Sequence, residues 1–142
     1  MSYNATRDAL VTHVAAIAGL DSSRVYGYET FAVRETPCAN IRLAGAENHI
    51  YVMGGKRRIY WQFEVLVYIK LASEVDTESA VGTMITAFFA YFDTHKRIGW
   101  NASVVDSHLE AVRVEVALVD AQLYRRLVFP IRVVDEEVVG YA

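Results

Sequence analysis

Lys56-Arg57-Arg58-Ile59-Tyr60-Trp61-Gln62-Phe63-Glu64-Val65-Leu66-Val67-Tyr68-Ile69-Lys70-Leu71 is the stretch on which the reading of this chain turns. Ile59, Trp61, Phe63, Val65, Val67, Ile69 and Leu71 share one parity. Arg58, Tyr60, Gln62, Glu64, Tyr68 and Lys70 share the other, with Leu66 alone out of pattern. Strand side chains alternate between two faces, so the pattern predicts a strand with one buried and one wet face. At about 3.3 Å per residue it extends roughly 50 Å, well beyond the common strand length of about five or six residues. A strand that long is expected to outrun its own core, and its overhang must meet something else. That points to assembly and away from catalysis.

Working outward, Gly54-Gly55 marks a hairpin turn leading into the long strand. Residues 49–52 and 38–43 precede it as two short strands, and Val25–Tyr28 is a short extended segment. Leu10, Val14 and Ile17 recur at helical spacing over Thr6–Ala18, with Asn4 or Thr6 as cap and Gly19 as terminator. Val81, Met84, Ile85, Phe88, Phe89 and Phe92 form the apolar stripe of a second helix over Thr77–Phe92, capped by Asp76. His95–Ser107 reads as a loop. A closing hairpin follows, in which Val112, Val114, Val116 and Leu118 alternate against Arg113 and Glu115, and the turn falls near Asp120-Ala121. Leu127, Phe129, Ile131 and Val133 return on the inner face. Pro130 cannot donate to a ladder, so its strand is expected at an edge or with a bulge there. Residues 135–142 read as a flexible or partner-bound tail. The expected fold is one α+β domain over residues 1–142: a mostly antiparallel sheet, two helices packed on one face, and a long protruding hairpin.

The bulk properties agree with a single folded domain. The chain has 142 residues, of which 54% are apolar, and a formal net charge of −3. That charge argues against a dedicated nucleic-acid binder with a broad basic face. The lone Cys38 excludes an internal disulfide and fits a reducing compartment. The opening residues lack the charged and apolar regions of a secretory signal, and no apolar run approaches the about 20 residues that span a bilayer. A soluble protein of the cytoplasm, without membrane contact, is expected.

The histidines at 13, 49, 95 and 108 are scattered, without the convergent spacing a metal needs. Cys38 has no basic neighbour in sequence to activate it and reads as a buried thiol. Asp135, Glu136 and Glu137 are adjacent rather than opposed, so they read as a solvated exit or a salt-bridging surface and not as an acid–base pair. Gly54-Gly55-Lys56 lacks the remaining residues of a phosphate loop. No catalytic, cofactor-binding or metal-ligating residue is assigned, and no cofactor is expected. The residues set apart as a subunit or ring interface are Lys56, Arg57, Arg58, Tyr60, Tyr68, Arg125 and Arg126. The two basic clusters sit at hairpin shoulders, where charge either blocks stray strand pairing or meets a neighbour's acids. The two tyrosines belong to the outer strand face, where aromatics suit an interface.

The succession of an amphipathic helix, Val25-Tyr26-Gly27-Tyr28, the strand at Pro37-Cys38-Ala39-Asn40-Ile41, the long strand from Arg57 to Tyr68, a helix opening near Asp76-Thr77-Glu78-Ser79-Ala80, and two closing strands resembles the tail-terminator and tail-completion proteins of long-tailed bacteriophages, of the lambda type. The resemblance covers nearly the whole chain as element order and pattern, without an invariant motif. It implies a structural virion protein whose subunits form a ring, six in number, that caps the tail tube, ends its polymerisation and joins it to the head. The implied partners are further copies of the chain, the tail-tube protein and a neck or head-completion protein, with non-specific contact to DNA in the lumen. The implied location is the virion tail, after assembly in the host cytoplasm. The alternatives are a head–tail connector or neck protein and, from another class, a small-molecule-binding α+β domain, which would need a concave pocket with convergent polar groups.

Overall fold

The alternating stretch forms β3 (Lys56–Lys70), and it lies in the middle of the sheet. The computed structural model describes residues 3–29, 33, 35–50, 55–71 and 73–138. Along them run α1 (Tyr3–Ala15), β1 (Val25–Tyr26), β2 (Cys38–Ile50), β3, α2 (Glu74–Thr94), β4 (Val104–Leu109), β5 (Arg113–Val119) and β6 (Gln122–Val138). The sheet order is β1-β2-β3-β6-β4, with β5 also paired to β6, and every pairing is antiparallel except β1 with β2. The α+β class and its two helices are as the sequence predicts.

The expected overhang is not found. β3 pairs with β6 from Lys56↔Val138 to Lys70↔Tyr124 and with β2 from Arg57↔Ile50 to Tyr68↔Cys38, so its neighbours accompany it along its length. The two short strands expected before it are one strand, β2, bent by an irregularity between Leu43 and Gly45. The expected strand residues 51 and 52 and Gly54 of the turn lie outside the described residues. The tail also differs: β6 runs to Val138, and Asp135 is fully buried.

Both helices cover the same face. Leu10, Val14 and Ile17 from the first helical segment and Val81, Met84, Phe88 and Phe92 from α2 pack on Ile41, Phe63, Val65, Val67, Leu127, Phe129, Ile131 and Val133. Phe88 stacks on Phe129 with ring centroids 3.8 Å apart. Full burial of each such side chain contributes about 1.5–3 kcal/mol of transfer free energy. The inner row expected for β6 is therefore correct at all four positions.

The opposite face carries a second, smaller core at one end. Leu66 and Tyr68 pack there with Cys38, Ala117, Tyr124 and Val128. This explains why Leu66 breaks the alternation: β3 is covered on both faces at that point.

Helix boundaries moved for reasons of capping. Ser73, not Asp76, is the N-cap of α2, and its Oγ accepts a hydrogen bond from the Asp76 amide at 3.2 Å. Thr6 lies inside α1, where its hydroxyl donates to Asp135 Oδ2 at 3.5 Å. The loop expected over 95–107 contains the start of β4, an unforeseen strand. β4 and β5 both pair with the same edge of β6, one after the other, and Pro130 falls where β6 passes from one partner to the other. The Pro130 carbonyl accepts from the Glu110 amide at 2.9 Å, so its missing donor points to this junction rather than into the β3 ladder. The junction accommodates the proline inside a strand that has neighbours on both sides.

Candidate assembly surfaces

The residues set apart by sequence come together with acids of the same chain. Lys56 lies 3.5 Å from Glu136, Arg58 Nε donates to Glu136 Oε2 at 2.9 Å, and Arg57 pairs with Glu137. The pairing follows from register, because Arg58 and Glu136 are direct cross-strand partners, as are Arg57 and Glu137. Hydrogen bonding from Arg58 holds the Glu136 carboxyl below the usual carboxylate range. Glu136 and Glu137 form the expected salt-bridging surface, as the counter-ions of the basic cluster.

Arg126 pairs with Glu115 at 2.5 Å, and Arg125 reaches Glu78 of α2 at 3.1 Å. Glu115 is likewise held low, chiefly by its hydrogen bond from Arg126. Tyr60 lies under the Arg132 guanidinium, 4.2 Å from ring centroid to carbon. Tyr68 is buried in the second core, edge-on to Tyr124, so it presents no outer aromatic surface. The open face of the sheet is thus a lattice of internal ion pairs. A shallow groove of about 230 Å³ crosses it, lined by Gln62, Glu64, Arg113, Pro130 and Arg132 among others. Glu64 is already shared between Arg42 and Arg113.

A further surface lies on the β5–β6 hairpin, where the alternating row does not become core. Val114, Val116 and Leu118 of β5 and Leu123 of β6 are 45%, 57%, 68% and 46% exposed. Val114 lies opposite Leu127 and Leu118 opposite Leu123, so the row continues the helix-covered face. Its alternation is correct, but the helix does not extend over it. At its tip, Asp120 and Ala121 have φ of 48° and 62°, the left-handed pair that turns a two-residue hairpin.

At the other end lies the segment after α2, whose sequence predicts a loop. The buried Trp100 donates from Nε1 to the His95 carbonyl at 3.0 Å, and Ser107 Oγ donates to the Lys96 carbonyl at 2.8 Å. Gly99, at φ 81°, packs so closely that a Cβ there would lie 2.7 Å from His13 Cε1. These anchors fix the backbone and leave Lys96, Arg97 and Ile98 exposed, Ile98 at 70%. The signal for this loop was present in the sequence as adjacent Lys-Arg-Ile, but nothing there reveals which cations lack an acid.

Beneath the loop, His13 is buried with Nδ1 2.8 Å from the Tyr91 hydroxyl and its ring 4.6 Å from Trp100. Burial, and secondarily the nearby His95, pull its pKa down to about 4. Burial also pushes the Cys38 thiol up to about 11, which keeps it protonated at neutral pH. Among the described residues no group of three or more His, Cys, Asp or Glu converges to hold a metal, and no helix is long and apolar enough to cross a membrane.

With this geometry in place, the class of the protein is that of its fold, an α+β domain. The chain matches no known family model, and no curated protein is similar to it.

Proposed function

We propose that this chain is a structural virion protein of a long-tailed bacteriophage, assembling as a ring that caps the tail tube, ends its polymerisation and joins it to the head or neck. The supporting observation is the exposed row Val114, Val116, Leu118 and Leu123, where the edge hairpin continues the face that the helices cover elsewhere. An apolar row on an edge strand is a liability that a chain retains when a partner covers it. The element order that resembles the tail terminators supplies the partner class: further copies of the chain, the tube and the neck. In this reading the chain is not an enzyme and needs no cofactor. Its charges serve folding and subunit orientation, and strong contact with DNA is avoided because a passing genome has to slide.

The test is tube growth. Tail-tube protein is polymerised with increasing amounts of this chain, and tube lengths are measured by negative-stain microscopy. Growth should stop at a protein amount far below the tube subunits, with extra density at one tube end. Unchanged lengths and bare tube ends would overturn the terminator reading. Binding to DNA-filled heads without any effect on tubes would assign the chain to the neck instead.

A further inference from the structure

We infer that the loop Lys96-Arg97-Ile98 of one copy binds the tip of the β5–β6 hairpin of the next, Leu118-Asp120-Leu123, and that this contact closes the ring; the inference rests on the assembly reading above. Three observations carry it. First, charge is left over at matched places. Among the described residues, Lys70, Lys96 and Arg97 are the Lys and Arg side chains outside any ion pair, and Lys96 and Arg97 are adjacent and exposed. Asp120 is exposed at the hairpin tip and, like Asp76, Asp93 and Asp106, takes part in no ion pair. Lys70 does not offset it, since it sits opposite Tyr124 on the face away from the apolar row.

Second, exposed apolar side chains stand at both places, as they also do at Tyr28, Val75 and Val138. Ile98 is 70% exposed beside the two cations, and Leu118 and Leu123 are 68% and 46% exposed beside Asp120. An apolar contact ringed by opposite charges excludes water at its centre and sets orientation at its rim. Both partners are fixed beforehand, the loop by its Trp100 and Ser107 hydrogen bonds and the hairpin by its two-residue turn, so little ordering entropy is lost on contact.

Third, the two patches lie at opposite ends of the sheet. The hairpin tip adjoins Leu123, whereas the loop leads into Val104, which pairs with Asp135 at the far end of β6. The 12 residue steps from Leu123 to Asp135 along β6 amount to about 40 Å. Different complementary patches at opposite ends of one subunit join copies head to tail, which yields a closed ring when the rotation closes.

The experiment uses the full chain in three charge variants, with self-association measured by sedimentation over a range of concentrations. K96E/R97E and D120K should each weaken association at least tenfold, because each leaves like charges facing. Their combination in one chain should restore association to within a few-fold of the original, which a folding defect would not do. Unchanged association in the first two variants overturns the contact while leaving the ring intact. Failure of the combined variant to recover overturns the pairing of these two patches. A chain that is monomeric at every concentration also overturns the contact; the terminator reading is then judged separately by tube growth.

Discussion

The basic end of the sheet and the hairpin end exchange roles between sequence and structure. Lys56, Arg57 and Arg58 look like an interface because three cations stand together, yet each has an acid of the same chain beside it, 78 or more residues away in sequence. Val114, Val116 and Leu118 look like core because they alternate, yet they face solvent. The difference teaches that local pattern reports which face a side chain takes, while coverage is decided by which element lies over it. Helix α2 reaches the hairpin through the Arg125–Glu78 pair, and the apolar row on both sides of that pair faces solvent. A charge cluster tells as little about partners until its counter-ions are located.

The largest expected effect lies under the helices. Phe129→Ala removes a ring stacked on Phe88 in the fully buried core and should cost about 3–5 kcal/mol in denaturant unfolding. A loss as small as that of a surface change would mean that α2 does not cover this face. Next comes acid. The neutral form of His13 is favoured by burial, so its folded pKa, about 4, lies below the ordinary 6.5. The unfolded chain then binds the extra proton between those values, and stability should fall as pH drops from about 6.5 to 4, by up to about 3 kcal/mol. His13→Gln should flatten the profile in that window. Glu115 and Glu136, whose folded values are depressed, add losses only as pH falls below about 4.5.

Smaller effects separate the two ends directly. Ala121 occupies a left-handed conformation at the hairpin tip, and Ala121→Gly should stabilise the protein by about 1 kcal/mol. A loss instead would show that the turn is not the tight one described. Leu118→Ser should change unfolding free energy by no more than about 0.5 kcal/mol, as for a solvent-facing position, while weakening self-association. Neutralising Lys56, Arg57 and Arg58 together should disturb association far less than K96E/R97E does, a ranking that sedimentation of both variants would check.

Much of the fold was legible. The parity of β3 identifies Phe63, Val65, Val67 and Ile69 as buried, and Leu127, Phe129, Ile131 and Val133 lie on the inner face as expected. What stayed hidden depends on distant partners. β4 is Val104-Val105-Asp106-Ser107-His108-Leu109, whose weak alternation becomes a strand only because β6 offers it an edge. Asp135 looked solvated, but its Oδ2 accepts from Thr6 and from Trp61 Nε1, tying the end of β6 to α1 and β3. Of the residues chosen for an interface, Tyr68 was lost to a second core that alternation cannot announce. The loop at Lys96 escaped notice because an unpaired cation is defined by the acids it does not meet.

The most direct test of the account is the mass of the protein in solution by light scattering, with the same samples viewed by negative-stain microscopy. Closed rings of one size, about six subunits as the resemblance to tail terminators implies and as cyclic closure permits, are the predicted result. A particle that remains a monomer or a simple dimer at high concentration, and that tail tubes fail to recruit into rings, would contradict it.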